Sequence, residues 1–369
     1  MMIFVKSPLS EGIKPRDLTW IDNQFRQLPG IAAPANRPRR IVITGFTRFG
    51  FWAKAKVYQW DYFPGFTQRM AEKGVDCFFV WDEDGLDRHA VDKNAAIIHL
   101  FNEELPFPYT QRVAAAERRA GFVFCTRRAG SIISNKRTAN KYLSANGIQM
   151  PRMIDEASPE AIVFSNSEIG SGKATRVLAP GDAVDPTRYN TEYIDTRIEF
   201  QGSKYFTMFR IQAVGTQVLH AYVRARHTRE RSPSVHSKDT PADHQLIEYL
   251  HERLIRSREA GIASFASAMG ILLGPGSYAH DMIVCNKTDR MYMVESGFKF
   301  NDSPYAEYLR SVADRTPCNR IFYDGTYPMR AADLFLQEWE KAADYGQPDP
   351  SLTLETSFEG IVPQRAACA

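Results

Sequence analysis

Long apolar runs are missing from this chain of 369 residues. No stretch approaches the ~18–20 residues that cross a bilayer, so no transmembrane helix is expected. The opening segment, Met1 to Lys6, is apolar for only five residues and is too short for a signal-peptide core. Cysteine is also scarce. The five residues Cys77, Cys125, Cys285, Cys318 and Cys368 are odd in number and widely spaced, with no Cys-x-x-Cys, which argues against a disulfide framework or structural zinc. Cys77, Cys125 and Cys285 sit in apolar runs and read as buried strand residues, and a reducing cytoplasm is the expected home. An excess of one charge is lacking as well. Lys plus Arg is 46 against 43 Asp plus Glu, a net +3, so neither nucleic acid nor a polybasic membrane contact is expected as the main partner. The Gly-rich dinucleotide fingerprint is missing too: only Gly45 and Gly50 follow the first apolar strand, which disfavours a nicotinamide site.

What is present is an ordinary globular composition, 44% hydrophobic and 24% charged, long enough for two or three domains. Residues 1–37 are Pro-rich and read as an N-terminal arm. From 38 to 130 the pattern is α/β: buried strands at 40–46, 75–82 and 121–125 alternate with helical stretches, predicting a small parallel sheet. Pro64 is expected to break the helical stretch 54–73. From 131 to 330 the texture is α+β. A helix is expected after Ser134 as N-cap, with Ala139 and Leu143 on one face and Gly147 closing it. Strands at 161–166 and 174–179 form a hairpin, and 191–200, 204–215 and 216–225 continue an antiparallel sheet. Residues 244–270 read as one helix or two, and 278–285 and 290–298 as a further strand pair. The segment 331–369 carries an amphipathic helix and a tail expected to be mobile.

Four features carry chemistry. The hairpin tip Gly170-Ser171-Gly172-Lys173 offers backbone N–H groups that an anion can approach closely, although Gly at a hairpin tip needs no function. Glu192-Tyr193-Ile194 is an ordinary strand or an inter-lobe segment presenting backbone groups to a base edge. Lys204 and Arg210 lie six apart on one strand, hence on one face, which is either solvated or lines an anionic site. Asp281 stands in an otherwise apolar strand, where a carboxylate is costly without a cation. Glu295 lies on the next strand, where cross-strand register would bring both carboxylates to one Mg2+.

In this order, the pieces at 131–305 resemble the ATP-grasp superfamily, and 38–130 resembles the domain that precedes it in such enzymes. The resemblance implies two α+β lobes holding ATP between them. It implies that Lys136 contacts nucleotide phosphate, that the 169–175 hairpin closes over the phosphates, and that Glu192 to Ile194 present backbone to adenine. Arg210, with Lys204, would serve catalysis at the transferring phosphoryl group, and Asp281 and Glu295 would hold Mg2+. Two departures stand out. Most relatives have Lys at the end of the strand before the Gly hairpin, where this chain reads Val163-Phe164-Ser165-Asn166; Lys173 is the nearest substitute. Most relatives have Asn two residues after the metal Glu, where this chain has Gly297. Asn301 or Asp302 would supply that ligand only if the chain bends back.

The activity so implied is an ATP- and Mg-dependent ligase joining a small-molecule carboxylate to an amine through an acyl phosphate. Arg224 and His227 precede a polar loop that either docks a substrate carboxylate or is simply solvated. A kinase on the same fold, and a nucleotide-binding protein without turnover, are the rival readings. Relatives are often dimers, so a homodimer is open.

Overall fold

The computed structural model describes residues 30–44, 62–80, 83–99, 110–157, 159–169, 175–230, 233–235, 239, 243–299 and 326–345. The hairpin tip 170–173, Asn301, the segment 1–29 and the tail after Tyr345 lie outside them.

The first sheet is built from β1 (Arg39–Thr44), β2 (Val75–Val80), β3 (Ala95–His99) and β4 (Phe122–Phe124), all parallel, in the order β2-β1-β3-β4. Its strands are near-continuous apolar runs because helices cover both faces. These are α1 (Phe63–Glu72), α2 (Glu83–His89) and α3 (Gln111–Arg119). Pro64 stands in the first turn of α1, where the missing N–H has no intrahelical acceptor, so the helix begins beside the proline; residues 54–61 lie outside the described residues.

Two short helices follow, α4 (Arg127–Ile133) and α5 (Lys136–Ala145). The N-cap of α5 is Asn135, whose side chain accepts from Thr138 N–H; Ser134 ends α4 instead. The Gly147 position has φ +84°, the left-handed conformation that lets the chain leave the helix.

The second sheet is small and antiparallel: β5 (Val163–Asn166) between β6 (Arg176–Leu178) and β7 (Tyr189–Glu192). The stretch 191–200, read above as one strand, is two strands in different sheets. β7 ends at Glu192, and β8 (Arg197–Phe200) opens the third sheet. Residues 193–196 are the crossing between them.

The third sheet dominates. β9 (Ser203–Val214) and β10 (Gln217–His227) form a long hairpin turning at Gly215-Thr216. β11 (Ser277–Val284) and β12 (Met291–Phe298) extend it in the order β10-β9-β11-β12, with β8 on β9. Its core face buries Phe209, Ile211 and Tyr278 beneath α6 (His244–Leu254) and α7 (Glu259–Leu273), two helices separated by a 3-10 turn. The last helix, α8 (Tyr327–Tyr345), packs against both α1 and the β9–β10 hairpin, with Arg69 Nε 2.9 Å from Asp333.

The first and third sheets are seamed together. Cys125 N–H donates to Pro275 O at 2.9 Å, and Ser277 N–H to Cys125 Sγ at 3.4 Å. The three cysteines in described segments, Cys77, Cys125 and Cys285, are buried.

Close approach of α7 to the β9–β10 turn depends on glycine. A Cβ on Gly270 would lie 2.3 Å from the Gly215 carbonyl oxygen, and Gly215 itself has φ +55°. Gly270→Ala is therefore expected to cost about 1–3 kcal/mol, the usual range for an overpacked core, read as a lowered thermal midpoint. Gly261→Ala in the same helix meets nothing within 4 Å and is expected to be neutral or stabilising by about 0.5–1 kcal/mol. Equal midpoints for the two variants would refute the close-packing account.

Candidate active site on the open face of the third sheet

Strand register creates the site. Arg210 on β9 stands opposite Tyr222 on β10 and Asp281 on β11, and Asp281 stands opposite Glu295 on β12. Directly opposed residues point to the same face. Tyr222, Arg210, Asp281 and Glu295 thus form one row across four strands. A register shift follows Asp281 immediately, which re-aims the chain beside the two carboxylates.

Arg210 grips Asp281 with both arms of the guanidinium, Nε to Oδ1 at 2.7 Å and Nη2 to Oδ2 at 2.9 Å. Their side chains are 11% and 14% exposed, so the pair sits where charge is weakly screened. Burial pushes the Asp281 carboxyl pKa up. The charge and hydrogen bonds of Arg210, helped by Arg224 and Lys299, outweigh that and hold it below the ordinary value. Asp281 is a carboxylate at neutral pH.

Glu295 is more open, at 39%, and meets a cation from outside the sheet. Lys136 Nζ lies 3.3 Å from Glu295 Oε1 and is itself buried. Lys136 is the first residue of α5. Its N–H donates to Glu168 O at 2.9 Å, just past the end of β5, so this helix start stands beside the root of the Gly hairpin. Arg137 ties the same place together through Glu168 and Asp155. Tyr189 on β7 feels Glu295 from the second sheet: burial first, then the Glu295 charge, push its hydroxyl up to about 12. The second and third sheets therefore face each other across Lys136 and Glu295.

Arg224 joins from β10. It lies two residues beyond Tyr222, on the same face, and is 1% exposed. Its guanidinium sits 5.0 Å from the Tyr222 ring centroid and donates to the Tyr222 hydroxyl. Its Nε has no hydrogen-bond acceptor, and among the described residues no carboxylate pairs with it. The Asp281 charge reaches it without a hydrogen bond, so a bound anion would supply the direct acceptor that its Nε lacks.

The other sequence candidates are placed elsewhere. Lys204 shares a face with Arg210, but six strand residues separate them by about 20 Å. Lys204 instead lines a separate cavity of about 380 Å³ with Arg197, Ile198, Glu199, Arg253 and Asn286. His227 pairs opposite Tyr205, on the face away from Arg224, and its Nδ1 accepts from Arg229 N–H. In the crossing between sheets, Glu192 N–H donates to Arg152 O and Tyr193 N–H to Ile162 O; Ile194 N–H has no such backbone acceptor among the described residues. Gly170, Ser171, Gly172, Lys173 and Asn301 lie outside the described residues.

Asp281 and Glu295 are hard oxygen donors on adjacent strands. Each carboxylate has about four lone-pair positions, so Asp281 keeps acceptor capacity beyond Arg210. The pair suits a hard divalent cation such as Mg2+ that retains waters. No set of three or more His, Cys, Asp or Glu side chains converges among the described residues, so a cation here needs oxygens of another kind.

Sequence reading missed Tyr222 and Tyr189. Tyr222 joins the row only through the register of β10, which no motif marks. Tyr189 lies three residues before the Glu192 segment and looked like loop.

Arg210→Met leaves Asp281 buried without its main partner, a change expected to cost about 3–5 kcal/mol at neutral pH. The sign of its pH dependence follows from the lowered native pKa. The wild-type pair stabilises above the unfolded carboxyl value and loses that stability as pH falls through the native one. The gap between wild type and variant should therefore narrow on acidification below about pH 4. Urea melts across pH check this, and a pH-independent gap would contradict it.

Protein-family models give no match to the chain, and neither do curated protein sequences. Solved structures do match. D-alanine–D-alanine ligase from Bacillus anthracis aligns at 10% identity with a TM-score of 0.48, covering 84% of this chain and 99% of its own. The ATP-grasp ligase PsnB, solved with precursor peptide PsnA2 and AMPPNP, aligns at 11% and 0.46, covering 84% and 100%. N5-carboxyaminoimidazole ribonucleotide synthetase from Thermotoga maritima aligns at 11% and 0.42, covering 79% and 76%. These solved structures, one of them titled an ATP-grasp ligase, are what the chain is similar to, at 10–11% identity and TM-scores of 0.42–0.48.

Proposed function

We propose that this chain is an ATP-grasp ligase that joins a carboxylate to an amine, with ATP lying between the second and third sheets. The observation that carries the reading is the row Tyr222–Arg210–Asp281–Glu295, closed at its open end by Lys136. It sets two cations and two carboxylates on one face at the mouth between two sheets. Phosphoryl transfer asks a protein for little beyond positioning and neutralisation of spreading charge, and those groups supply both.

In the proposed reaction a substrate carboxylate oxygen bonds to the γ-phosphorus of ATP while the bond to the β–γ bridging oxygen breaks, releasing ADP. The amine nitrogen then bonds to the acyl carbon, the C–O bond to phosphate breaks, and the amine gives up a proton. Lys136 neutralises phosphate oxygens, and Arg210 faces the transferring group while holding Asp281 ionised. Arg224 binds the anionic part of the carboxylate substrate, which gives its buried Nε an acceptor. Ile194 offers its backbone N–H to the adenine edge. Bound on Asp281 and Glu295, Mg2+ would screen the triphosphate.

The test is to incubate the protein with ATP, Mg2+ and pooled amino acids and small carboxylates, following ADP, phosphate and product mass together. Equal ADP and phosphate with a condensed product are expected. ADP without phosphate, and a product heavier by a phosphoryl group, would make the protein a kinase. Glu295→Gln is expected to reduce turnover by about 10²–10³-fold, the usual loss for one electrostatic contact to a transition state. Unchanged turnover in that variant would remove the site from this face of the sheet.

A further inference from the structure

Lys299 is the cation on the open face of the third sheet that the reading above leaves without a task. It directly follows β12, and its N–H donates to Ser277 O at 2.8 Å, so the β11–β12 ladder runs one step past Phe298. Glu295, Gly297 and Lys299 alternate onto one face, and Lys299 therefore shares the face of Arg210 and Asp281. Between the row of Asp281 and Glu295 and the step of Ser277 and Lys299 lies one pair, Ala279 opposite Gly297. That pair carries a methyl group and then no side chain at all, so on β11 and β12 nothing taller stands between Lys299 and the carboxylates.

The backbone of Lys299 is clamped on both sides. Besides the bond from its N–H, its carbonyl oxygen accepts from Ser277 Oγ and from Gln212 Nε2. Ser277 and Gln212 are both buried, so these bonds are made where water does not compete. The side chain has no such anchor. The two carboxylates of this face are paired elsewhere, Asp281 with Arg210 and Glu295 with Lys136. Among the described residues no carboxylate pairs with Lys299. Asp281 nevertheless feels the Lys299 charge across the Ala279–Gly297 pair, which helps to hold its carboxyl ionised.

Position along β11 says what this cation would meet. The strand begins at Ser277, beside the seam with the first sheet, and runs toward Asn286, whose N–H holds Asp195 in the crossing between sheets. Asp281 lies between these ends. With the adenine edge at Ile194 and the nearer phosphates at Lys136 and Glu295, the end of the triphosphate points toward the Lys299 end of the sheet. The other cations of the face are engaged: Arg210 commits Nε and Nη2 to Asp281, Lys136 meets Glu295, and Arg224 is tied to Tyr222 on the far strand β10. An ammonium brings three donors, and no carboxylate claims those of Lys299. We propose that Lys299 binds the γ-phosphate of ATP, reaching it over the gap at Ala279 and Gly297. The proposal rests on the reading that ATP lies between the second and third sheets. A compact ammonium suits a group that changes partners during transfer, because it needs no fixed fork geometry. The Gln212 amide and the Ser277 hydroxyl gain a function as well, since they fix the backbone from which the cation extends.

Isothermal titration of the full chain with AMPPNP and with ADP, each in excess Mg2+, tests this. Lys299→Met removes the charge and keeps the bulk. It is expected to weaken AMPPNP binding about 10-fold or more, the loss of one charge-assisted contact, and to leave ADP affinity unchanged. Lys299→Arg keeps the charge and is expected to recover most of the AMPPNP affinity. Wild-type AMPPNP affinity in Lys299→Met, or an equal loss for AMPPNP and ADP, overturns the proposal. So does a loss in Lys299→Arg as large as that in Lys299→Met. If Lys299→Met fails to unfold cooperatively, Lys299→Gln is judged by the same two affinities. Wild type separates the two levels. A chain that binds neither nucleotide refutes the ATP reading itself, whereas one that binds both, with Lys299→Met unaltered, removes only the Lys299 contact.

Discussion

The ion pair between Arg210 and Asp281 is the constraint on which the rest of the site depends. An aspartate in the apolar strand β11 would otherwise be a fault in the middle of the largest sheet. Its partner arrives from the adjacent strand with two hydrogen bonds, and the two are in direct register. Register fixed at that one pair fixes it for the whole row, because a slip by one residue would send every side chain to the opposite face. Tyr222, Glu295, Arg224 and Gln212 all inherit their positions from it. The pair also keeps Asp281 charged, so a group too buried to ionise easily remains available as an oxygen donor.

Much of this was legible in the residues. The parallel arrangement of the first sheet followed from its alternation of apolar strands and helices, and the β9–β10 and β11–β12 hairpins from their turns. The opposition of Asp281 and Glu295 was legible because the turn between them is short. Other features were hidden for physical reasons. The stretch 191–200 looked like one strand because β propensity does not stop at Glu192; a change of sheet leaves no composition mark. Ser134 is as good an N-cap as Asn135 by residue type, and only the end of the preceding helix excludes it. Lys204 and Arg210 shared a face as expected, but a common face says nothing of distance along a strand.

Two cations illustrate how context changes a residue's meaning. Lys136 and Arg224 are both buried, Lys136 beside the Glu295 carboxylate and Arg224 with its Nε left without an acceptor. Lys136 stands at a helix start, where the helix dipole adds to its positive field. Arg224 lies against a tyrosine ring, which stabilises a cation without cancelling its charge. Together they make the face between the sheets attractive to anions, although the chain as a whole is close to neutral.

The seam between the first and third sheets has a mechanical consequence. Hydrogen bonds join Cys125 to Pro275 and Ser277, and Arg128 reaches the Leu272 carbonyl from α4 at 3.0 Å. Those two sheets therefore behave as one stiff frame. The second sheet is attached through Glu168, held by Lys136 N–H and Arg137 of α5, and through the crossing that follows β7. Asp195, in that crossing, is already pinned to the frame by Asn286 N–H at 2.8 Å, while Tyr193 N–H is pinned to the second sheet through Ile162. Within the crossing, the backbone between these two anchors is thereby shortened to the peptide links around Ile194. Swinging of the small sheet would turn about the backbone that the adenine edge is proposed to meet.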